Sequence, residues 1–181
     1  FNNDGWIDIL GGSGMHYNMG DMTFTHDDSA PYNGPIGDLN NDGFLDIAGS
    51  NTYSWNMGND FGHIRFNLQG VQSNRDGIGA RVTITSALGQ QIRDIRSGDG
   101  FRYMSFIGAH FGLGTDDVVE QVHIRWPSGI EDVILNPAIN TTHLIVEGIS
   151  TSVNTSDEAA ISVVPNPATD LITVNGVAPN S

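Results

Sequence analysis

A loop dense in oxygen-bearing side chains occurs twice in this chain, and a recurrence of that kind points to repeated structural units stacked side by side. One copy is Asp38-Leu39-Asn40-Asn41-Asp42-Gly43-Phe44-Leu45-Asp46-Ile47. The other, Phe1-Asn2-Asn3-Asp4-Gly5-Trp6-Ile7-Asp8-Ile9, lacks only the residue matching Asp38. Asp4 and Asp42 are 38 residues apart, and so are Asp8 and Asp46.

The pattern D-x-N-x-D-G-x-x-D matches the needs of calcium, a hard ion that takes roughly six to eight oxygens at about 2.3–2.6 Å. Asp38, Asn40 and Asp42 occupy positions 1, 3 and 5, from which side chains of a tight loop point at one centre. Gly43 allows the sharp turn. The carbonyl of Phe44 then faces the ion and Asp46 closes the set. In the first copy the equivalent candidates are Asn2, Asp4, the carbonyl of Trp6, and Asp8. An EF-hand would need a bidentate Glu at position 12, where Gly49 stands, and flanking helices. Ile7-Asp8-Ile9-Leu10 and Leu45-Asp46-Ile47-Ala48 read instead as strands.

Composition supports the same chemistry. Of the 21 acidic residues 17 are Asp, the type suited to short ligand loops and turns, and all seven basic residues are arginine. The net charge of -14 repels phosphate backbones and anionic bilayers, so neither nucleic acid nor a membrane surface is an expected partner. No apolar run reaches the roughly 20 residues of a membrane span. The absence of cysteine removes disulfides and thiolate metal sites.

Two-residue alternation dominates the rest. Ala80, Val82 and Ile84 alternate with Arg81, Thr83 and Thr85, and Val122, Ile124 and Trp126 alternate with Gln121, His123 and Arg125. Turn signals separate such runs: Leu88-Gly89-Gln90, Gly98-Asp99-Gly100, Pro127-Ser128-Gly129 and Asn136-Pro137. With no helical period, the expected fold is all-β. The chain divides into an Asn/Asp/Gly-rich region at 1–60, closely spaced strands at 61–148, a polar linker at 149–158, and a short β-like piece at 159–181. Its opening at Phe1 reads as the tail of a longer precursor, and its last piece as unfinished.

Three resemblances follow. The two acidic loops resemble the FG-GAP or VCBS repeats of integrin-α-like β-propellers, which implies a calcium loop in each blade and a propeller-blade fragment at 1–60. Residues Ser73-Asn74-Arg75-Asp76-Gly77-Ile78-Gly79-Ala80-Arg81-Val82, His110-Phe111-Gly112-Leu113-Gly114 and Trp126-Pro127-Ser128-Gly129 resemble the ASPIC/UnbV domain of cartilage acidic protein-like proteins. That likeness implies a compact, β-sandwich-like domain with no established reaction. Val163-Val164-Pro165-Asn166-Pro167-Ala168-Thr169-Asp170-Leu171-Ile172-Thr173-Val174 resembles the start of a type IX secretion sorting domain. It implies export by that machinery in a Bacteroidota-type bacterium, to the outer surface or the medium.

Read alone, the middle motifs are structural. Asp76-Gly77 and Gly79 suit a turn into the strand at Ala80, Arg75 or Arg81 is placed to pair with a carboxylate, and Phe111 and Leu113 alternate with glycines as where a strand meets another backbone. His110 reads as a hydrogen-bonded, partly buried side chain, because no nucleophile motif accompanies it. His16 and His26, near Asp21, Asp27 and Asp28, read as a solvated loop or a transition-metal site. The expected function is non-catalytic: a calcium-stabilised secreted or cell-surface module contacting a protein or glycan. The alternative is an accessory C-terminal part of a larger secreted enzyme, such as a polysaccharide-processing hydrolase.

Overall fold

Alternating side chains need a core to alternate against, and here two sheets supply it to each other. The structure, a computed structural model, describes residues 1–31, 33–49, 52–98 and 103–149, with the backbone of 162–164 and 173–175. In chain order the strands are β1 (Ile9–Gly11), β2 (Gly14–Asn18), β3 (Phe24–Asp27), β4 (Ile36–Gly37), β5 (Asp46–Ala48), β6 (Tyr53–Ser54), β7 (Gly62–Gln69) and β8 (Arg81–Ser86). They continue as β9 (Gly89–Asp94), β10 (Ala109–Gly114), β11 (Val119–Arg125), β12 (Glu131–Leu135), β13 (Thr142–Val146), β14 (Ser162–Val164) and β15 (Thr173–Asn175). There is no α-helix among the described residues, and so none long and apolar enough to cross a membrane. The expected all-β class is what the structure shows.

One sheet has the order β12-β11-β8-β9 and is antiparallel throughout. The second has the order β10-β7-β13, with β10 antiparallel and β13 parallel to β7. Their facing sides share one apolar core. Val82, Ile84, Val122, Ile124 and Trp126 come from the first sheet and its edges, and Ile64, Phe66, Phe111 and Leu113 from the second. The register follows from the period of two: Val122 lies opposite Ile84 and Ile124 opposite Val82, so both apolar rows face one way. Phe66 and Phe111 meet edge to face with ring centroids 6.1 Å apart. This arrangement is sandwich-like, and β7 stands at the centre of its smaller sheet.

Residues ahead of β7 form two further three-stranded sheets, β1-β2-β3 and β4-β5-β6, each antiparallel. The second acidic loop connects β4 to β5, and the first leads into β1. The turn signals hold with small shifts. The β8–β9 hairpin turns at Ala87 and Leu88, with Gly89 opening β9 at φ 101°, one residue earlier than expected. Trp126 N–H bonds to Ile130 O, closing the turn over Pro127-Ser128-Gly129. Arg81 pairs with Asp94 across β8–β9 through two contacts of 2.7 and 3.0 Å. Asp99 and Gly100, most of the 149–158 linker, and the Pro165-to-Ile172 part of the tail motif lie outside the described residues. On either side of that motif β14 and β15 pair antiparallel.

Candidate functional site at the acidic loops

Gly43 and Gly5 carry φ of 90° and 93°, and Asn41 and Asn3 carry 60° and 58°, so the two loops share one backbone path. Asn and Gly tolerate these left-handed conformations better than other residues, which is why they recur at those places. In the second loop Asn40 Oδ1 accepts from Asp42 N–H at 3.2 Å, and Asp42 Oδ1 accepts from Phe44 N–H at 2.9 Å. In the first, Asn2 Oδ1 accepts from Asp4 N–H at 3.3 Å and Asp4 Oδ1 from Trp6 N–H at 2.8 Å.

The position-9 aspartates are buried and act as clasps. Asp46 Oδ2 accepts from Leu39 N–H and its Oδ1 from Asn56 N–H, both at 2.9 Å. Asp8 repeats this with Phe1 N at 2.6 Å and Asn18 N–H at 2.9 Å. Each clasp ties a loop to a segment that follows it. The repeat therefore runs beyond the acidic loops. Asn18 and Asn56 accept from Gly20 and Gly58 N–H, and Asp21 and Asn59 accept from Thr23 and Phe61 N–H. Sequence reasoning stopped at the loops, although Asn18-Met19-Gly20 and Asn56-Met57-Gly58 stand at the same 38-residue interval.

Asp38 heads the second loop. Its Oδ2 accepts from Gly43 N–H at 3.1 Å and from Arg65 Nη1 at 3.2 Å. Its side chain is only 4% exposed, and its Oδ1 is buried with no hydrogen-bond partner. A buried carboxylate oxygen without a donor is costly. Asp38, Asp42, Phe44, His63 and Arg65 line a cavity of about 590 Å³, together with Asn59, Asp60, Asn140, Thr141 and Thr142. Among the described residues no three His, Cys, Asp or Glu side chains converge as a metal cluster. A cation held here would draw also on the amide oxygen of Asn40 and the carbonyl of Phe44. The two repeats differ in cover. Phe44 and Ile47 are 7% and 4% exposed, whereas the matching Trp6 and Ile9 are 50% and 52% exposed.

The loops rest on the sandwich through Asn3, a residue that the ligand pattern passes over. Asn3 Nδ2 donates to Gly43 O at 3.0 Å, joining the two loops. Its Oδ1 lies 2.9 Å from His110 Nε2, and its backbone O accepts from Gly114 N–H at 2.7 Å. A Cβ on Gly112 would collide with the Asn3 backbone, the close approach anticipated from the glycines of β10. His110 is buried, as expected in part, and burial first, then His63, Arg93 and Arg65, lowers its pKa to about 3. It is thus neutral, with Nε2–H donating to Asn3 and Nδ1 lacking a partner. His63, 47 positions away in sequence, stacks on it at 5.8 Å. Burial also holds His63 below the ordinary imidazole range, against the pull of Asp38.

A second polar anchor was not legible in advance. Glu147, at the end of β13, is buried, and its Oε2 accepts the successive N–H groups of Val71, Gln72 and Ser73 at 2.6–2.7 Å. Oε1 accepts from the hydroxyls of Ser73 and Ser128. Burial opposes ionisation, but the bonds from Ser128, Ser73 and Val71 outweigh it and bring the carboxyl from 4.5 down to about 2.

Compared with known proteins, residues 70–152 match the family described as ASPIC and UnbV. The resemblance anticipated for the middle of the chain is therefore found, displaced towards the C-terminus. The match begins just after β7, the strand at the centre of the sheet that β10 and β13 complete. No curated protein matches the chain.

Two outcomes are expected. Asn3→Gly keeps the left-handed backbone and removes only the side chain, so its cost reports the bonds to Gly43 and His110: about 1–3 kcal/mol by urea denaturation. Glu147 has a depressed native pKa, so its stabilisation is complete above about pH 4.5 and fades as pH falls towards 2. Glu147→Gln is less stable at neutral pH, and urea midpoints measured down a pH series should show its gap to the parent closing over that window.

Proposed function

We propose that this chain is a non-catalytic, calcium-stapled part of a secreted or cell-surface protein, with its acidic loops at the end of an integrin-α-like β-propeller. The observation that carries this reading is the buried, unpartnered Oδ1 of Asp38 at the head of a loop of oxygen donors. Arg65 meets the other oxygen of that carboxylate, so the free one is available to a second cation. Asp38, Asn40, Asp42, the carbonyl of Phe44, and Asp46 would hold calcium in the second loop, and Asn2, Asp4, the carbonyl of Trp6, and Asp8 in the first. The oxygens that already accept one N–H keep a second lone pair for the ion. Bound calcium would supply the positive charge that a chain of net charge -14 lacks.

The blade reading is supported by the hairpins β1–β2 and β5–β6, which pair in the same register 38 residues apart, and by their unequal cover. Half-exposed Trp6, where Phe44 is buried, matches a position on which another copy of the unit packs. Adhesion to a protein or glycan is supported by the cavity beside the second loop, whose Asn59, Asp60, Asn140, Thr141 and Thr142 offer groups for a hydroxylated ligand. Export through type IX machinery rests on the sequence of the tail alone.

Calorimetric titration of the EDTA-stripped chain with Ca²⁺, followed by thermal melting, tests the central part. Sites of about 10⁻⁴–10⁻³ M are sufficient outside a cell, and occupancy at 100 times Kd stabilises by about 2.7 kcal/mol. The melting temperature should rise with calcium in the parent and not in Asp42→Ala. No heat and no shift at millimolar calcium contradicts the reading.

A further inference from the structure

From the geometry we propose that His16 and His26 form a chelating site for a divalent transition ion of the zinc and copper class, on the outer face of the first repeat. The two residues are direct partners in the antiparallel ladder of β2 and β3. Their rings lie with centroids 4.5 Å apart and planes inclined at 31°. Side chains directly opposite on antiparallel strands share one face of the sheet, so both imidazoles project to the same side. Imidazole rings at that separation can each turn a nitrogen towards one borderline-soft ion, for which imidazole is a preferred ligand. His26 is exposed and His16 half-buried, which leaves room for water to complete the shell.

The neighbouring groups agree with a two-imidazole site rather than a carboxylate one. Asp21 Oδ1 and Asp27 Oδ1 are engaged by Thr23 and Ser29 in short turns. The hydroxyl of Ser13 lies 3.2 Å from His26 Nε2 and can rotate away at the cost of one exposed hydrogen bond when an ion takes that nitrogen. The site is built from different ligand chemistry than the acidic loops. Hard Ca²⁺ favours the oxygens of Asp38 and Asp42, and a borderline ion favours imidazole, so the two sites select different metals. The acidic surroundings raise the local concentration of any divalent cation.

The test is calorimetric titration of the full chain with Zn²⁺, then Cu²⁺, in the presence of saturating millimolar Ca²⁺, which blocks the oxygen loops. The expected result is one site, tighter for Cu²⁺ than for Zn²⁺, with affinity falling at least about tenfold in either His16→Ala or His26→Ala. His123→Ala, at a half-buried histidine on β11, should leave that site unchanged. Thermal melts without added transition metal verify that each variant folds. A parallel imidazole NMR spectrum with trace Cu²⁺ should broaden both His16 and His26 resonances in the parent protein. Binding that persists in both single variants, or broadening that spares either histidine, overturns the proposal. Failure of the calcium reading would not affect it, because the zinc titration reads different ligands.

Discussion

Asn3 is the residue on which the arrangement of this molecule depends. Its side chain bridges the second acidic loop, at Gly43 O, and the sandwich, at His110. Its main chain lies against Gly112 and bonds Gly114 N–H. The second loop and strand β10 thus converge on one residue that is 4% exposed. An asparagine suits the place for two reasons: it tolerates φ of 58°, and its amide donates and accepts at once. His110 completes the contact: burial keeps it neutral, and the Asn3 amide oxygen, its Nδ2 being committed to Gly43, takes the proton of Nε2.

From that junction the chemistry of the loops follows. Asp46 spends both carboxylate oxygens on the N–H groups of Leu39 and Asn56, and so ties the second loop to the segment after β6. The aspartates and asparagines at positions 3 and 5 hold the turns in shape in the same manner. A preorganised loop of this kind loses little conformational entropy on binding a cation. Arg65 reaches from β7 of the sandwich to Asp38 and, at 3.4 Å, to Asn41. The cavity between these parts is therefore shared by loop and sandwich, and a ligand seated there would contact both.

Much of this was readable from residues alone because its causes are local. Alternation of Val82 and Ile84 against Arg81 and Thr83 sets a buried face whatever the partner strand is, and those faces are where the core lies. The recurrence of Asp4 and Asp8 at Asp42 and Asp46 reflects a backbone path that the structure shows twice. The parts that stayed hidden arise from long-range pairing. Nothing in the pattern of β7 says that it runs parallel to β13, or that His63 will stack on His110. Glu147 looks like an ordinary surface acid, and only the fold brings three consecutive N–H groups to it. Asn3 sits at a position the ligand pattern leaves open, so its tertiary role had no signal. Trp6 and Ile9 match Phe44 and Ile47 in the repeat yet stay half exposed, because burial depends on a neighbour.

The most direct measurement is a crystal structure of the chain grown with calcium, or with terbium in its place, using anomalous scattering to locate the ion. The account predicts a peak about 2.3–2.6 Å from Asp38 Oδ1 and within reach of Asn40, Asp42 and the Phe44 carbonyl. A structure at millimolar calcium in which Asp38 meets only Arg65 and Gly43, with no ion or with a water at Oδ1, would contradict it.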